Sequence, residues 1–374
     1  MANPFTLKVI PPDSAFCDRD RELEELSSHI RNRENVVLFS PRRYGKTSLI
    51  RRLQSGLSRQ KAFTIYADFF MVTSLEDLAA RIAGSVYSVL HQRESLLKKG
   101  ARFLNIFRSF RPVFKPSADG NMTLSVEVSS PSLGGADLLE KVMKELGDFV
   151  RQEKKVCHIA FDEFQEITEL KDEAVEGILR RHIQEHQASY FFVGSRRRIL
   201  LEMFNQRSRP FYQSAIMYPL KPLPHEELAT FLVQQFKGEG KGCSRKLAKE
   251  ISERVCQYPY YAQLLAYNVF EISGRTVKEE DIEIGFEKLL ASERYGYEAL
   301  VQGLTGPQIA LLKALAGDPH SQILSAEYMG RHRLSIGGIQ YARKKLEALG
   351  LIEKQDDIWQ VVDPVFAAWL ATYT

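Results

Sequence analysis

Two stretches of this chain carry residue types whose spacing suits phosphate chemistry. In the first, Ser40-Pro41-Arg42-Arg43-Tyr44-Gly45-Lys46-Thr47-Ser48, a Gly-Lys-Thr triplet follows an apolar run and opens an amphipathic one. Apart from Ser40, which stands where a glycine is expected, the order fits G-x-x-x-x-G-K-[ST] between a strand and a helix. Gly45 allows the backbone to approach an anion without a Cβ clash. Successive amides and the helix N-terminus that follows supply positive potential. Lys46 is suited to the β- and γ-phosphates, and the Thr47 hydroxyl to Mg²⁺. In the second stretch, the apolar run Val156–Phe161 ends in Asp162-Glu163. Asp162 would hold the Mg²⁺ shell, and Glu163 would polarise an attacking water. The ligand implied is a nucleoside triphosphate with Mg²⁺. A guanine-reading Asn-Lys-x-Asp is absent from the sequence, so ATP and its product ADP are expected.

These residues need elements to hold them. Asn35–Phe39 reads as a short buried strand, and Thr47–Leu57 as a helix with Leu49, Ile50, Leu53 and Leu57 on one side. Strand-like and helix-like segments then alternate: 62–69, 74–90, 136–153, 156–161 and 189–193. That alternation predicts an α/β fold built on a parallel sheet. Asp68, at the end of the second strand, is expected either near the metal or as a turn cap. His158, inside an apolar strand, reads as a core residue. After Pro224 the sequence becomes rich in helical pattern.

Composition bounds the rest. The chain has 374 residues, 44% hydrophobic and 26% charged, as expected of a globular protein of two or three domains. No apolar run is long enough to span a membrane, and the N-terminus lacks a signal-peptide pattern. Cys17, Cys157, Cys243 and Cys256 show no paired spacing and read as reduced, so a cytoplasmic location is expected. A net charge of +4 does not mark a nucleic-acid protein, but local clusters stand out. Lys98, Lys99, Arg102, Arg108, Arg111 and Lys115 share a stretch with no acidic residue, and Arg196, Arg197, Arg198, Arg207 and Arg209 are opposed only by Glu202. Phe103, Phe107, Phe110 and Phe114 recur at helical spacing through the first cluster. Pro112 and Pro116 would stop that helix, and Thr123–Val128 alternates as a strand. The expectation is a basic helix plus hairpin inserted at about 97–132. Its phenylalanines would either pack on the body or, through 97–118, meet a partner or membrane surface.

Several motifs resemble the archaeal-type ATPases of the STAND (signal-transduction ATPase) branch of AAA+-related P-loop proteins, over nearly the whole chain. Ser40–Ser48 is similar to that family's G-P-R-R-x-G-K-T-S loop, and Asp162-Glu163-Phe164-Gln165 to its D-E-F-Q segment. Phe16-Cys17-Asp18-Arg19-Asp20-Arg21-Glu22-Leu23 resembles F-x-x-R-x-x-E-L, which implies that Phe16 and Arg19 line the adenine pocket. Tyr190–Arg196 resembles the sensor strand, which implies that Ser195 and Arg196 report on the γ-phosphate. Tyr258-Pro259-Tyr260-Tyr261 resembles a G-x-P-Y-Y turn whose proline, Pro259, packs on the nucleotide. Gln257 replaces its glycine. The family's P-x-Y-G-R reads Pro210-Phe211-Tyr212-Gln213-Ser214 here, so that arginine is absent, and Arg207 and Arg209 are the substitutes at hand.

The C-terminal stretch reads as a winged helix. Helices are expected at 307–315, 325–330 and 335–349, followed by a wing at 351–354 and 359–362 and by Asp363-Pro364-Val365-Phe366…Trp369, which resembles the family's ending. A third helix of this kind can enter a DNA major groove, with Arg331, Arg333, Arg343, Lys344 and Lys345 against phosphates. The resemblance equally implies a lid that contacts protein. The expected architecture is an α/β P-loop NTPase core over 1–222, a helical lid over 223–298 and a winged-helix domain over 299–374. The expected activity is that of a Mg²⁺-dependent ATPase switch. A DNA-binding AAA+ ATPase and a non-hydrolysing nucleotide-bound scaffold are the other two readings, and the oligomeric state is undetermined.

Overall fold

The computed structural model describes residues 2–12, 14–93, 106–116, 122–129 and 133–372. Five short strands form the central sheet: β1 (Val36–Phe39), β2 (Phe63–Asp68), β5 (Cys157–Asp162), β6 (Ser189–Gly194) and β7 (Ile216–Pro219). All pair in parallel, in the order β2-β5-β6-β1-β7. Every residue of β1, β5 and β6 is buried, as strands covered on both faces must be. On one face lie α1 (Asp20–Arg31) and α2 (Lys46–Arg59), packing Leu26, Ile30, Leu49 and Leu53 on Val36 and Leu38. On the other lie α3 (Leu75–Arg93), α4 (Gly135–Glu153), α5 (Ala174–Glu185) and α6 (Arg197–Asn205), packing Ile82, Val142, Leu179 and Leu200 around Ile159 and Phe161. The sheet confirms the α/β expectation. Edge strand β7 has no fully buried residue, so no apolar run announced it.

The inserted segment differs from expectation. Phe110–Pro116 is strand β3, paired antiparallel with β4 (Met122–Val128), and not the end of a helix. The four-three-four spacing of phenylalanines misled because Phe107 enters the core from an irregular bend and Phe110 from the first residue of a strand. Phe107 meets the Tyr87 ring at 5.5 Å, and the Tyr87 hydroxyl donates to the Phe110 carbonyl at 3.0 Å. Both phenylalanines are buried against the body, and Arg111 pairs across the hairpin with Glu127 at 3.1 Å. Lys98, Lys99, Arg102, Phe103, the 119–120 turn and the side chains of Phe114 and Lys115 lie outside the described residues.

C-terminal to β7, α7 (His225–Gly238), α8 (Arg245–Arg254), α9 (Pro259–Ile272) and α10 (Glu279–Gln302) precede a winged helix. The latter consists of α11 (Gly306–Gly317), α12 (Ala326–Arg331), α13 (Ile336–Ala348), the wing β8 (Ile352–Gln355) and β9 (Ile358–Val361), and α14 (Pro364–Thr372). Local chemistry sets the boundaries. The Thr305 amide donates to the Gln308 side chain at 2.9 Å in a capping box, and the Ser325 hydroxyl caps α12. Gly350, at φ +69°, closes α13. A single apolar cluster runs through these elements, from Leu223 to Leu370. Among the described residues no helix is long and apolar enough to cross a membrane.

His158 is fully buried in β5, its ring edge-on to Phe191 at 4.4 Å, with Nε2 unpartnered. Burial pulls its pKa down to about 3. The unfolded chain therefore binds a proton that the folded one refuses between about pH 6.5 and 3, so stability is lost as pH falls through that window. The His158 contribution should approach a tenfold loss in folding constant per pH unit. Urea unfolding between pH 7 and 5 should show that slope in wild type and lose part of it in His158→Phe. Identical slopes would place the titrating group elsewhere.

Candidate functional site

The loop after β1 sits at the carboxyl end of a central strand, where open α/β sheets place ligands. Gly45 takes φ +83° and Arg43 φ +64°, turning the chain so that α2 starts at Lys46. Lys46 is folded back into its own loop. Its Nζ donates to the carbonyls of Ser40 at 2.9 Å and Pro41 at 2.8 Å. Burial pulls the Lys46 pKa down to about 8, against the opposing pull of Glu163 and Asp162. This cation is under-solvated, and an anion in the loop would relieve it. Ser40, in the glycine position, is buried beneath the lysine and does not block the turn.

The second stretch meets the first across β6. Thr47 Oγ1 donates to Asp162 Oδ2 at 2.8 Å. The Tyr66 hydroxyl, from β2, donates to the same oxygen, while the Glu163 amide donates to Asp162 Oδ1 at 2.9 Å. Glu163 has φ +50°, and its carboxylate accepts from Ser195 Oγ at 3.2 Å and from the Gln165 side chain. Asp68 is a turn cap: its carboxylate accepts from the Phe70 amide at 2.8 Å.

A cavity of ≈ 300 Å³ opens beside these groups. Arg42 to Leu49 and Glu163 form its floor. Phe16, Cys17 and Arg19 line it too, with the Arg19 guanidinium held by Glu22 and by the Lys221 carbonyl at 2.7 Å. Pro259, at the first turn of α9, joins Tyr260 and Gln263 from the helical side. Gln257 adopts φ +55°, so the turn keeps its left-handed geometry without the glycine. The remaining walls were not legible in the sequence. Leu223, Leu228, Phe231 and Leu232 make an apolar side, and Thr6–Ile10 cross the mouth. That N-terminal segment is anchored at both ends. Phe5 is buried 5.0 Å from the Phe236 ring, and the Ile10 amide donates to Ser48 Oγ at 3.1 Å. No motif spacing could have signalled it, because Phe5 packs on a helix over 200 residues away and Ile10 bonds to one 38 residues away.

Two sensor candidates separate. Ser195 touches Glu163. Arg196 does not line the cavity: Glu169 at 2.7 Å and Glu166 at 3.5 Å hold its guanidinium. The structure thus departs from the expectation that Arg196 reaches the phosphate, because these two carboxylates compete for it. Arg209 is paired with Glu176, Arg198 with Glu347 at 3.4 Å, and Arg207 is exposed. Three arginines of the cluster, Arg196, Arg198 and Arg209, are thus paired with carboxylates distant in sequence.

Arg43 leaves the loop for the helical side, pairing with Glu293 of α10 at 2.8 Å and lying over the Tyr260 ring at 4.3 Å. The Tyr44 ring meets Tyr258 edge-on at 4.6 Å, and the Tyr258 hydroxyl donates to the Val362 carbonyl. The Tyr261 hydroxyl contacts Tyr297 at 3.0 Å and donates to Asp363, which caps α14 through the Val365 and Phe366 amides. A chain of direct contacts thus joins phosphate loop, helical region and winged helix.

Comparison with known proteins agrees with this architecture. Residues 295–372 match the family described as a probable winged helix domain. A Walker-type ATPase of Pyrococcus abyssi superposes with a TM-score of 0.69 at 17% identity, covering 97% of this chain and 99% of that one. The ORC2 protein of Aeropyrum pernix, solved as ADPNP-ADP complexes, gives 0.60 at 15% identity over 99% and 96%. At such identities the likeness establishes a shared fold: an α/β ATPase-type core followed by a C-terminal winged helix. No curated protein matches the chain.

Proposed function

We propose that this protein binds ATP with Mg²⁺ in the cavity beside Lys46, hydrolyses it, and uses the bound nucleotide to set the position of its winged helix. The observation that carries this reading is the 2.8 Å hydrogen bond between Thr47 and Asp162, beside a buried Lys46 and next to Glu163. That bond brings a hydroxyl and a carboxylate from segments over a hundred residues apart to one point beside the loop, an oxygen pair suited to a Mg²⁺ ion. The donors present are oxygens, as Mg²⁺ requires. Among the described residues no group of three or more His, Cys, Asp or Glu converges to hold a metal unaided, so phosphate oxygens would complete the shell. When bound, the cation neutralises charge on the transferring phosphoryl group.

The residues divide the work. Lys46 exchanges its two loop carbonyls for phosphate oxygens. Backbone amides from Arg43 to Ser48 cradle the phosphates, with Ser40 and Pro41 shaping the turn. Phe16, Arg19, Pro259 and the apolar wall at Leu228 and Phe231 enclose the base. Glu163, held by Ser195 and Gln165, orients and deprotonates water. Arg43 and Tyr44 transmit the loop's state to Glu293, Tyr258 and so to Val362 and Asp363.

DNA binding by the winged helix has less support. Arg331 is paired with Asp318 and Glu327, and Arg343 lies over the Trp359 ring at 5.4 Å. Contact with protein, beginning with this chain's own core, fits better. The switch is tested by hydrogen exchange on Glu163→Gln loaded with ATP or ADP. Amides in α13 and β8 should exchange at different rates in the two states. Superimposable exchange would remove the switch while leaving the ATPase reading intact.

A further inference from the structure

Tyr66 belongs to no phosphate-site motif, yet it reaches the centre of the site. It lies on β2 opposite Ala160 of β5, two residues before Asp162, and its side chain leans along the strand to the carboxylate. Its ring is fixed from the other side by the Arg51 guanidinium, 3.7 Å from the centroid. Arg51 belongs to α2, the helix that begins with Lys46 and Thr47. Tyr66 therefore bridges that helix and the acidic strand end.

We propose that Tyr66 is a positioning residue for the cation: its hydroxyl locks the Asp162 carboxylate in the orientation that a Thr47-bound divalent ion requires. This inference rests on the nucleotide reading given above. Asp162 has both oxygens engaged. Oδ1 accepts from the Glu163 amide at 2.9 Å, and Oδ2 accepts from Thr47 at 2.8 Å and from Tyr66. When Thr47 turns a lone pair to a cation, its proton still points at Asp162, and Tyr66 holds the acceptor still. Without that hydroxyl, Oδ2 would keep only the donor whose geometry changes on metal binding. Mg²⁺ tolerates little deviation from octahedral geometry, so a loose carboxylate costs affinity. A residue that merely glued α2 to the sheet would need its ring and the Arg51 stack but not a hydroxyl aimed at this oxygen.

Tyr66→Phe keeps the ring and the stack and deletes one hydroxyl. Binding of a fluorescent ATP analogue is measured in EDTA and then across a Mg²⁺ titration, beside wild type and Lys46→Ala. The expected result is an EDTA affinity within twofold of wild type and a half-saturating Mg²⁺ concentration raised by about tenfold or more, as for loss of other outer-shell partners of metal ligands. A Mg²⁺ curve that overlays wild type overturns the role of Tyr66, as does an equal loss of affinity with and without metal, which would mark a structural role. The Lys46→Ala arm keeps the two ideas apart. Loss of binding there with an unshifted Tyr66→Phe curve sinks this inference alone. Wild-type binding by Lys46→Ala sinks the reading of the cavity itself.

Discussion

Lys46→Ala should bind ATP at least about 100-fold more weakly than wild type, a loss of about 3 kcal/mol or more. The ammonium is buried at the loop's centre, and its described hydrogen-bond acceptors are oxygens of Ser40 and Pro41. Those contacts do not solvate a charge fully, as its lowered pKa of about 8 records. The triphosphate would supply what the loop lacks, so deletion removes a strong interaction specific to the bound state. The same argument predicts that deletion does not destabilise the empty protein through this charge. In wild type the folded pKa lies below the unfolded value near 10.5, so the unfolded chain binds more protons between pH 8 and 10.5. Stability of the empty protein must then rise with pH over that window. Calorimetry with and without ATP checks both points. Wild type should melt higher with ATP, whereas the variant should show no shift and should lack the alkaline slope. An unchanged dissociation constant would remove the phosphate from this loop.

Glu163→Gln should bind ATP with near wild-type affinity while its turnover falls by about 10²- to 10⁴-fold, the range for loss of a general base. Glutamine matches the shape and keeps one oxygen to accept from Ser195 and Gln165, the two donors that now hold the carboxylate. What disappears is the charge that polarises water. Binding and single-turnover hydrolysis measured on the same sample separate the two effects. Turnover equal to wild type would exclude Glu163 as the base and turn attention to a water held elsewhere in the cavity. Weakened binding with normal turnover would mean that Glu163 shapes the ground state instead. A wild-type protein that binds ATP but never turns it over would favour a nucleotide-bound scaffold.

The sequence by itself determined what is local. Gly45-Lys46-Thr47 between an apolar run and an amphipathic one left few alternatives, because backbone conformation and charge within eight residues make the cradle. The strand-end acids Asp162-Glu163 were legible because an apolar run ends on them. Tertiary structure decided everything carried by contacts between distant segments. It brought Tyr66 to Asp162, stretched Thr6–Ile10 across the cavity, and sent Arg196 to Glu166 and Glu169 in place of the cavity. It also turned Phe110–Pro116 into a strand, since the hydrogen bonds that settle the question come from Met122–Val128. A one-dimensional pattern records which groups are apolar or charged, but not which of several equally charged arginines finds a carboxylate first. That choice is made by the packing of helices on the sheet, where burying one guanidinium without a partner costs more than any local preference can return.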